Sequence, residues 1–530
     1  MGGPTTSRAL ADALAEGLRD AGAERIFGVP GGGPNLDMIG AAAERGIDFV
    51  LTHGETAACI AASTYGRLTG TPGVAVVTRG PGLTSAANGL AQATLDRAPL
   101  LLISDTVTAA SADRTAHQRL DQVGAAAPLT KWSGTLGHTD PKDVVTAAAR
   151  LALEAPAGAV HLAFDPTTPG DAPPAPSPRS TVDRQDLATA RKLVTASRHP
   201  VVIVGVDAAR GGAAVREALA GLDCPVLATY EAKGVVPESW PTFAGLFTGA
   251  ALERPLLERA DLVLGVGLDP VEPMPGPWPG DAAVVLVHTH PVETGYFGDP
   301  LLLVGPYATL LPALVGAAAP DWPSGAGSTA NAATLPRLGE HPATPNGALT
   351  PLDVVRTARG SLGDALLTVD AGAHMLVTMP VWATNGPDPV LISNGLATMG
   401  FALPAAIGAA LARPGRRVAC LTGDGGLGMA MAEIETLARL ALDVTVVVFN
   451  DAALTLIALK QRDAQGGAAA ITYRATDFAA VAAAMGVPGV VVNDINGLRR
   501  ALASSAGGPL VVDARVDPAS YHHVIRTIRG

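Results

Sequence analysis

The sequence predicts an α/β protein of three domains, each a parallel sheet layered with helices. Three observations carry this. Short β-branched runs alternate with Ala-rich stretches at helical spacing along the whole chain, the pattern of parallel strands buried on both faces. The 530 residues exceed one core, since cores rarely grow past about 250–300 residues. Two Pro-rich, weakly periodic stretches, 166–184 and 317–348, read as extended linkers. They leave blocks 1–165, 185–316 and 349–530.

Composition narrows the class. Hydrophobic content of 48% with 16% charged residues fits a large, well-buried enzyme rather than a disordered chain. The net charge is −11 and no Lys/Arg run stands out, which argues against nucleic acid and anionic membrane as partners. Cys59, Cys224 and Cys420 are far apart and match no metal spacing, so they read as buried thiols of a reducing, cytoplasmic protein. No charged-then-apolar leader and no run of 18 apolar residues is found, so neither export nor a membrane span is expected. Met1-Gly2 with Thr6 fits the loose myristoylation pattern, and a flexible start is the reading preferred.

In the first block an amphipathic helix over 7–21 precedes a strand that runs into Gly31-Gly32-Gly33. A second strand, FVLT, ends at His53-Gly54-Glu55, and a nearly uncharged helix follows over 56–69. The strand VAVVT ends at Arg79-Gly80-Pro81-Gly82, and 98–104 gives another. A Glu at a helix start is commonly a solvated, dipole-favoured carboxylate. Here the apolar strand before it and the uncharged helix after it suggest that Glu55 faces an interior. His117-Gln118 follows on a loop, where His117 contacts substrate or is simply exposed.

The middle block has strands at 201–204 and 263–266. Gly205-x-Asp207-x-x-x-Gly211 fits a dinucleotide fingerprint poorly. His288 and His290 alternate on one strand face; without visible partners for a metal, they read as packing.

The third block opens with a helix over 352–358, a strand over 365–369, and then Asp370-Ala371-Gly372-Ala373-His374. Its centre is RRVACLTGDGGLGMAMAEIETLARLALDVTVVVFND, one βαβ unit with a strand at 417–422, a helix at 427–440 and a strand at 444–449. Gly423, Asp424, Gly425 and Gly426 therefore lie where a strand ends and a helix begins. There unpaired N–H groups and the helix dipole favour an anion such as phosphate, and glycines allow it close. Asp424 and the later Asn450-Asp451 share the carboxyl edge of the sheet, where ligands bind. Two oxygen-bearing side chains plus phosphate oxygens suit a hard cation such as Mg2+; a capped Gly-rich turn is the bland alternative.

These motifs resemble those of thiamine-diphosphate (ThDP) enzymes, whose Gly-Asp-Gly is followed about two dozen residues later by Asn-Asn. The first block, with Phe-Gly-x-Pro-Gly-Gly and Gly-Pro-Gly loops, resembles the pyrimidine-binding domain of the acetolactate synthase branch; the segment around Gln118 is also similar to benzaldehyde lyase. The resemblance implies pyrimidine-binding, central and diphosphate-binding domains, with Mg2+ held by Asp424, Asp451 and the Ala453 carbonyl. This chain departs in having Asp451 where Asn is usual. Glu55 matches the catalytic acid that protonates the far pyrimidine nitrogen, and Gln118 a residue at the active-site mouth. His374 matches a diphosphate contact, or else caps the next helix. The Ala397 carbonyl matches the acceptor for the cofactor amino group, and Met399 the wedge that bends the cofactor.

The resemblance further implies a 2-oxo acid substrate, loss of CO2 and transfer of the remaining carbanion to a second carbonyl. It also implies active sites shared across a homodimer or homotetramer interface. The branch's FAD is read as lost, because Gly245-Leu246-Phe247-Thr248-Gly249 lacks the Gly-Met-His-Gly text and Leu268-Asp269-Pro270 stands where an Arg is expected. The early glycine loop lacks the His of many lyases and decarboxylases. Ile457 replaces a protonating Glu, and a Trp is missing near Lys460. A specialised carboligase is thus expected, with a decarboxylase or aldehyde lyase as the alternative and a silent ThDP-fold scaffold as the remote one.

Overall fold

The computed structural model describes residues 6–176, 182–339, 348–386, 390–464, 470–504 and 507–529. Three parallel six-stranded sheets with flanking helices follow one another along the chain, as the alternating pattern predicts. The first contains β1 (Arg25–Val29), β2 (Asp48–Leu51), β3 (Gly73–Val77), β4 (Leu100–Asp105), β5 (Trp132–Leu136) and β6 (Ala159–Phe164), ordered 2-1-3-4-6-5. The second contains β7 (Pro200–Val204), β8 (Val226–Ala228), β9 (Phe243–Leu246), β10 (Leu262–Val266), β11 (Ala283–His288) and β12 (Leu301–Val304), ordered 12-11-10-7-8-9. The third contains β13 (Leu366–Val369), β14 (Leu391–Ile392), β15 (Val418–Gly423), β16 (Val444–Asn450), β17 (Gly489–Val492) and β18 (Leu510–Arg515), ordered 14-13-15-16-18-17.

The first and third sheets thus share one strand order. In each, the order reverses beside the first strand, which opens a crevice at the carboxyl edge. The runs that read as doubly buried are so: Gly73–Val77, Leu100–Asp105 and Val444–Asn450 are buried throughout.

The first and third blocks share a core. The helix Glu55–Thr69 packs on the helix Ala402–Ala412, and one apolar cluster spans both. Close approach requires small residues: a Cβ at Gly408 would lie 2.3 Å from the Ala61 carbonyl oxygen. That contact accounts for the nearly uncharged text of the helix after Glu55, which is sandwiched rather than solvated.

Two expectations fail locally. Within 317–348 the chain is not simply extended, because Ala326–Gly339 is a helix whose N-terminal end lies against the central sheet; a Cβ at Gly327 would lie 2.0 Å from the Thr242 carbonyl oxygen. Packing overrides the weak periodicity that suggested a linker. The helix expected over 427–440 divides into Asp424–Ala430 and Glu433–Arg439. Its glycine-rich start is a poor helix former, and Glu433 is turned to accept a hydrogen bond from the His53 N–H at 2.9 Å.

Candidate functional site

The nine residues of the third block expected to hold a cofactor or metal all line one cavity of about 220 Å3. They are His374, Ala397, Met399, Gly423, Asp424, Gly425, Gly426, Asp451 and Ala453. They arrive from the carboxyl ends of β13, β15 and β16 and from the loop after β14. Parallel strands put these four turns on one edge, which brings together residues separated by up to 79 positions.

Glycine is required here by contact. A Cβ at Gly426 would lie 2.4 Å from Asp370 Oδ2, and one at Gly425 2.9 Å from Leu454 Cδ2. Asp370 is buried beneath the site. It accepts hydrogen bonds from Thr422 Oγ1 at 2.9 Å and from the Gly400 and Phe401 N–H groups at 3.2 and 3.3 Å. Burial pushes its carboxyl up to about 6.

Asp424 Oδ2 accepts a hydrogen bond from the Ala452 N–H at 2.7 Å, and its Oδ1 accepts from the Tyr473 hydroxyl at 2.7 Å. Ala452 adopts φ +57°, the left-handed region that non-glycine residues seldom occupy, and so turns the chain toward Asp424. Asp451 accepts from Thr455 Oγ1 at 2.5 Å. Burial raises both carboxyls, and the charge of Asp424 adds to the effect at Asp451, which reaches about 6. Two carboxylates that disfavour joint ionisation, beside the Ala453 backbone, form a donor set that a hard dication would relieve. Asn450 is not part of it; its amide donates to Asp513 Oδ1 and the Thr476 carbonyl.

His374 is buried and stacks on Phe449 with ring centroids 5.4 Å apart. Its Nε2 has no partner, and burial lowers its pKa to about 4, so the ring is neutral. A buried imidazole facing a glycine-walled cavity is suited to donate to an anion. Gly372 and Gly423 make room for the ring. The wall opposite is apolar, with Met399, Leu454 and the 43%-exposed Ile457.

Ala397 is also left-handed, at φ +55°, and its loop is fixed from the first block. Buried Asp96 accepts hydrogen bonds from the N–H groups of Gly395 at 2.7 Å and Leu396 at 3.2 Å. A Cβ at Gly395 would meet the Leu95 carbonyl oxygen at 2.4 Å.

Glu55 and Gln118 lie elsewhere. Among the described residues, no side chain of the first block lines the cavity. Glu55 opens the helix Glu55–Thr69 and is half-buried, so the interior expected around it does not form within one chain. The turn before it is locked to the third block: His53 Nε2 pairs with Glu435 at 2.7 Å, and Arg439 donates to the Leu51 carbonyl at 2.6 Å. Gln118 is exposed at φ +58° and rests on the Gly80 loop, where a Cβ would approach its carbonyl to 3.0 Å. His117 beside it is exposed.

Sequence reasoning did not single out Asp96, Asp370, Thr455 or Tyr473. Tyr473 reaches Asp424 because its N–H bonds the Ala452 carbonyl at 3.1 Å, in a short antiparallel contact between Ala453 and Thr472. Nothing in the text marks that pairing. A buried Asp after an apolar strand, as in Asp370, is the one signal that was available.

Comparison with known proteins agrees along the whole chain. Residues 8–125 match the thiamine pyrophosphate enzyme N-terminal TPP binding domain, 187–314 its central domain and 370–514 its C-terminal TPP binding domain. The chain is 29% identical to "Acetolactate synthase" of Bacillus subtilis (strain 168) over 540 residues, covering 96% of this chain and 93% of that protein. It is 30% identical to "Acetolactate synthase large subunit" of Parasynechococcus marenigrum (strain WH8102), covering 94% and 86%. To "Acetolactate synthase isozyme 1 large subunit" of Escherichia coli (strain K12) it is 28% identical, covering 94% and 92%.

Proposed function

The chain belongs to the thiamine-diphosphate-dependent, acetolactate-synthase-like family of enzymes, and from that premise we propose that it is a Mg2+-dependent carboligase acting on a 2-oxo acid. The observation that carries the reading is the Asp424–Asp451 carboxylate pair at a glycine-walled cavity with a neutral, unpartnered His374. When bound, thiamine diphosphate supplies a nucleophilic carbon for the substrate carbonyl and takes up the electrons released as CO2 leaves.

Asp424, Asp451 and the Ala453 carbonyl would hold Mg2+, and the unpartnered Nε2 of His374 would donate to the diphosphate. The backbone at Gly423, Gly425 and Gly426 would give a diphosphate room. The Ala397 carbonyl would accept a hydrogen bond from the bound cofactor, and Met399 would pack against it and orient it. Ile457 and Leu454 offer no proton donor at this site, which favours a second carbonyl over a proton as acceptor.

Glu55 would hold a proton for the ring of the bound cofactor. Because it does not line the cavity of its own chain, a second copy delivers it, and Gln118 joins it at the mouth. The active unit is then a homodimer or a pair of homodimers. Purified protein incubated with pyruvate, ThDP and Mg2+ should yield acetolactate. Aldehyde release without coupling would replace the carboligase by a decarboxylase or lyase, and an absence of product across a 2-oxo acid panel would remove both.

A further inference from the structure

The central sheet carries a second set of convergent ligands. His288 ends β11, His290 follows two residues later, and Asp207 lies in the short helix Val206–Arg210 after β7. One donor atom from each lies within 4.8 Å of the others. His290 Nδ1 is 3.7 Å from Asp207 Oδ1, and His288 Nδ1 is 3.9 Å from Asp207 Oδ2. All three are buried, at 0% exposure for His288, 8% for His290 and 6% for Asp207.

These contacts are too long for hydrogen bonds. Neither ring nitrogen of His288 makes one, although the group is fully buried, an arrangement that is costly unless something else satisfies it. Burial also lowers both imidazoles, His288 to about 4, so no ion pair to Asp207 repays their desolvation. Two imidazoles and a carboxylate therefore converge without bonding one another.

We propose that Asp207, His288 and His290 form a binding site for a divalent transition-metal ion of the zinc class. Two ligands about 2.1 Å from a tetrahedral centre stand roughly 3.4 Å apart; the two Asp207–imidazole separations exceed this by a few tenths of an ångström, and the donor atoms of all three residues lie within 4.8 Å of one another. The carboxylate is already held in position. Tyr307 donates to Asp207 Oδ2 at 2.6 Å and Thr289 Oγ1 donates to it at 2.8 Å, as ligating carboxylates are ordinarily held. Nitrogen donors select zinc, cobalt or nickel over magnesium, unlike the all-oxygen set at Asp424 and Asp451. Asp207 and His290 also line a cavity of about 520 Å3 walled by Arg67, Arg97 and Arg210, which gives the ion a way in and leaves room for water or an anion as a further ligand. The alternating histidines were visible in the sequence; Asp207, about 80 positions upstream, was not recognisable as their partner.

The test uses the full chain saturated with ThDP and Mg2+, titrated with Co2+ and followed by its d–d absorption and by metal content after desalting. One cobalt ion per chain is expected in the wild type and in Asp424→Ala, with its loss in His290→Gln and in Asp207→Asn. Zn2+ should raise the melting temperature of the wild type but not of His290→Gln, a readout that stands even if a variant is poorly stable. Cobalt kept by His290→Gln and lost from Asp424→Ala would assign the ion to the diphosphate site and overturn the proposal, as would no cobalt uptake by the wild type.

Discussion

Asp451→Asn tests whether the carboxylate pair is held ready for a cation. Burial and the charge of Asp424 raise Asp451 from an ordinary 3.8 to about 6. The folded chain therefore binds more protons than the unfolded chain across this window, and stability falls as pH rises from about 4 to about 6. A shift of about 2 units corresponds to roughly 3 kcal/mol lost at pH 8 relative to the acid limit, of which about 1.5 kcal/mol is already lost at pH 5. Asparagine does not ionise and keeps an oxygen for Thr455 Oγ1; it weakens the 3.3 Å contact with the Ala453 N–H, at a cost of about 1 kcal/mol. In the absence of Mg2+ the variant should be more stable than wild type by about 2 kcal/mol at pH 8 and by well under 1 kcal/mol at pH 5. Urea titrations at the two pH values measure this, and Mg2+ with ThDP should close the gap at pH 8 by stabilising the wild type. A variant no more stable than wild type at pH 8 would refute the idea that these carboxylates repel one another.

Other substitutions probe the remaining parts. Glu55→Gln should lower turnover on a 2-oxo acid by about 10^2–10^4-fold, the usual range for a lost proton-transfer group, with the fold intact by circular dichroism. His374→Ala should weaken ThDP binding about tenfold at fixed Mg2+ in calorimetry, the loss of one hydrogen bond to an anion. Gly395→Ala sets a Cβ 2.4 Å from the Leu95 carbonyl oxygen. It should destabilise the chain by about 1–3 kcal/mol and weaken ThDP binding through the displaced Ala397 loop; unchanged values of both would show that the loop is not fixed by this contact.

The sequence was enough to predict three layered α/β units, because a strand buried on both faces leaves a continuous β-branched run that needs no knowledge of its neighbours. It was enough for the Gly-Asp-Gly turn and Asp451 too, since a ligand turn between a strand and a helix is a local device. Tertiary structure decided what depends on contacts between distant segments. Tyr473 on Asp424, Asp96 under the Ala397 loop and Asp207 beside His288 and His290 are joined across 49 to 299 positions, and no spacing rule reaches that far. Only the fold could show that the helix after Glu55 is uncharged because Ala402–Ala412 covers it, while Glu55 itself stays half-open at the edge. Periodicity records which face of a segment avoids water; which partner fills that face is settled only when the chain has packed.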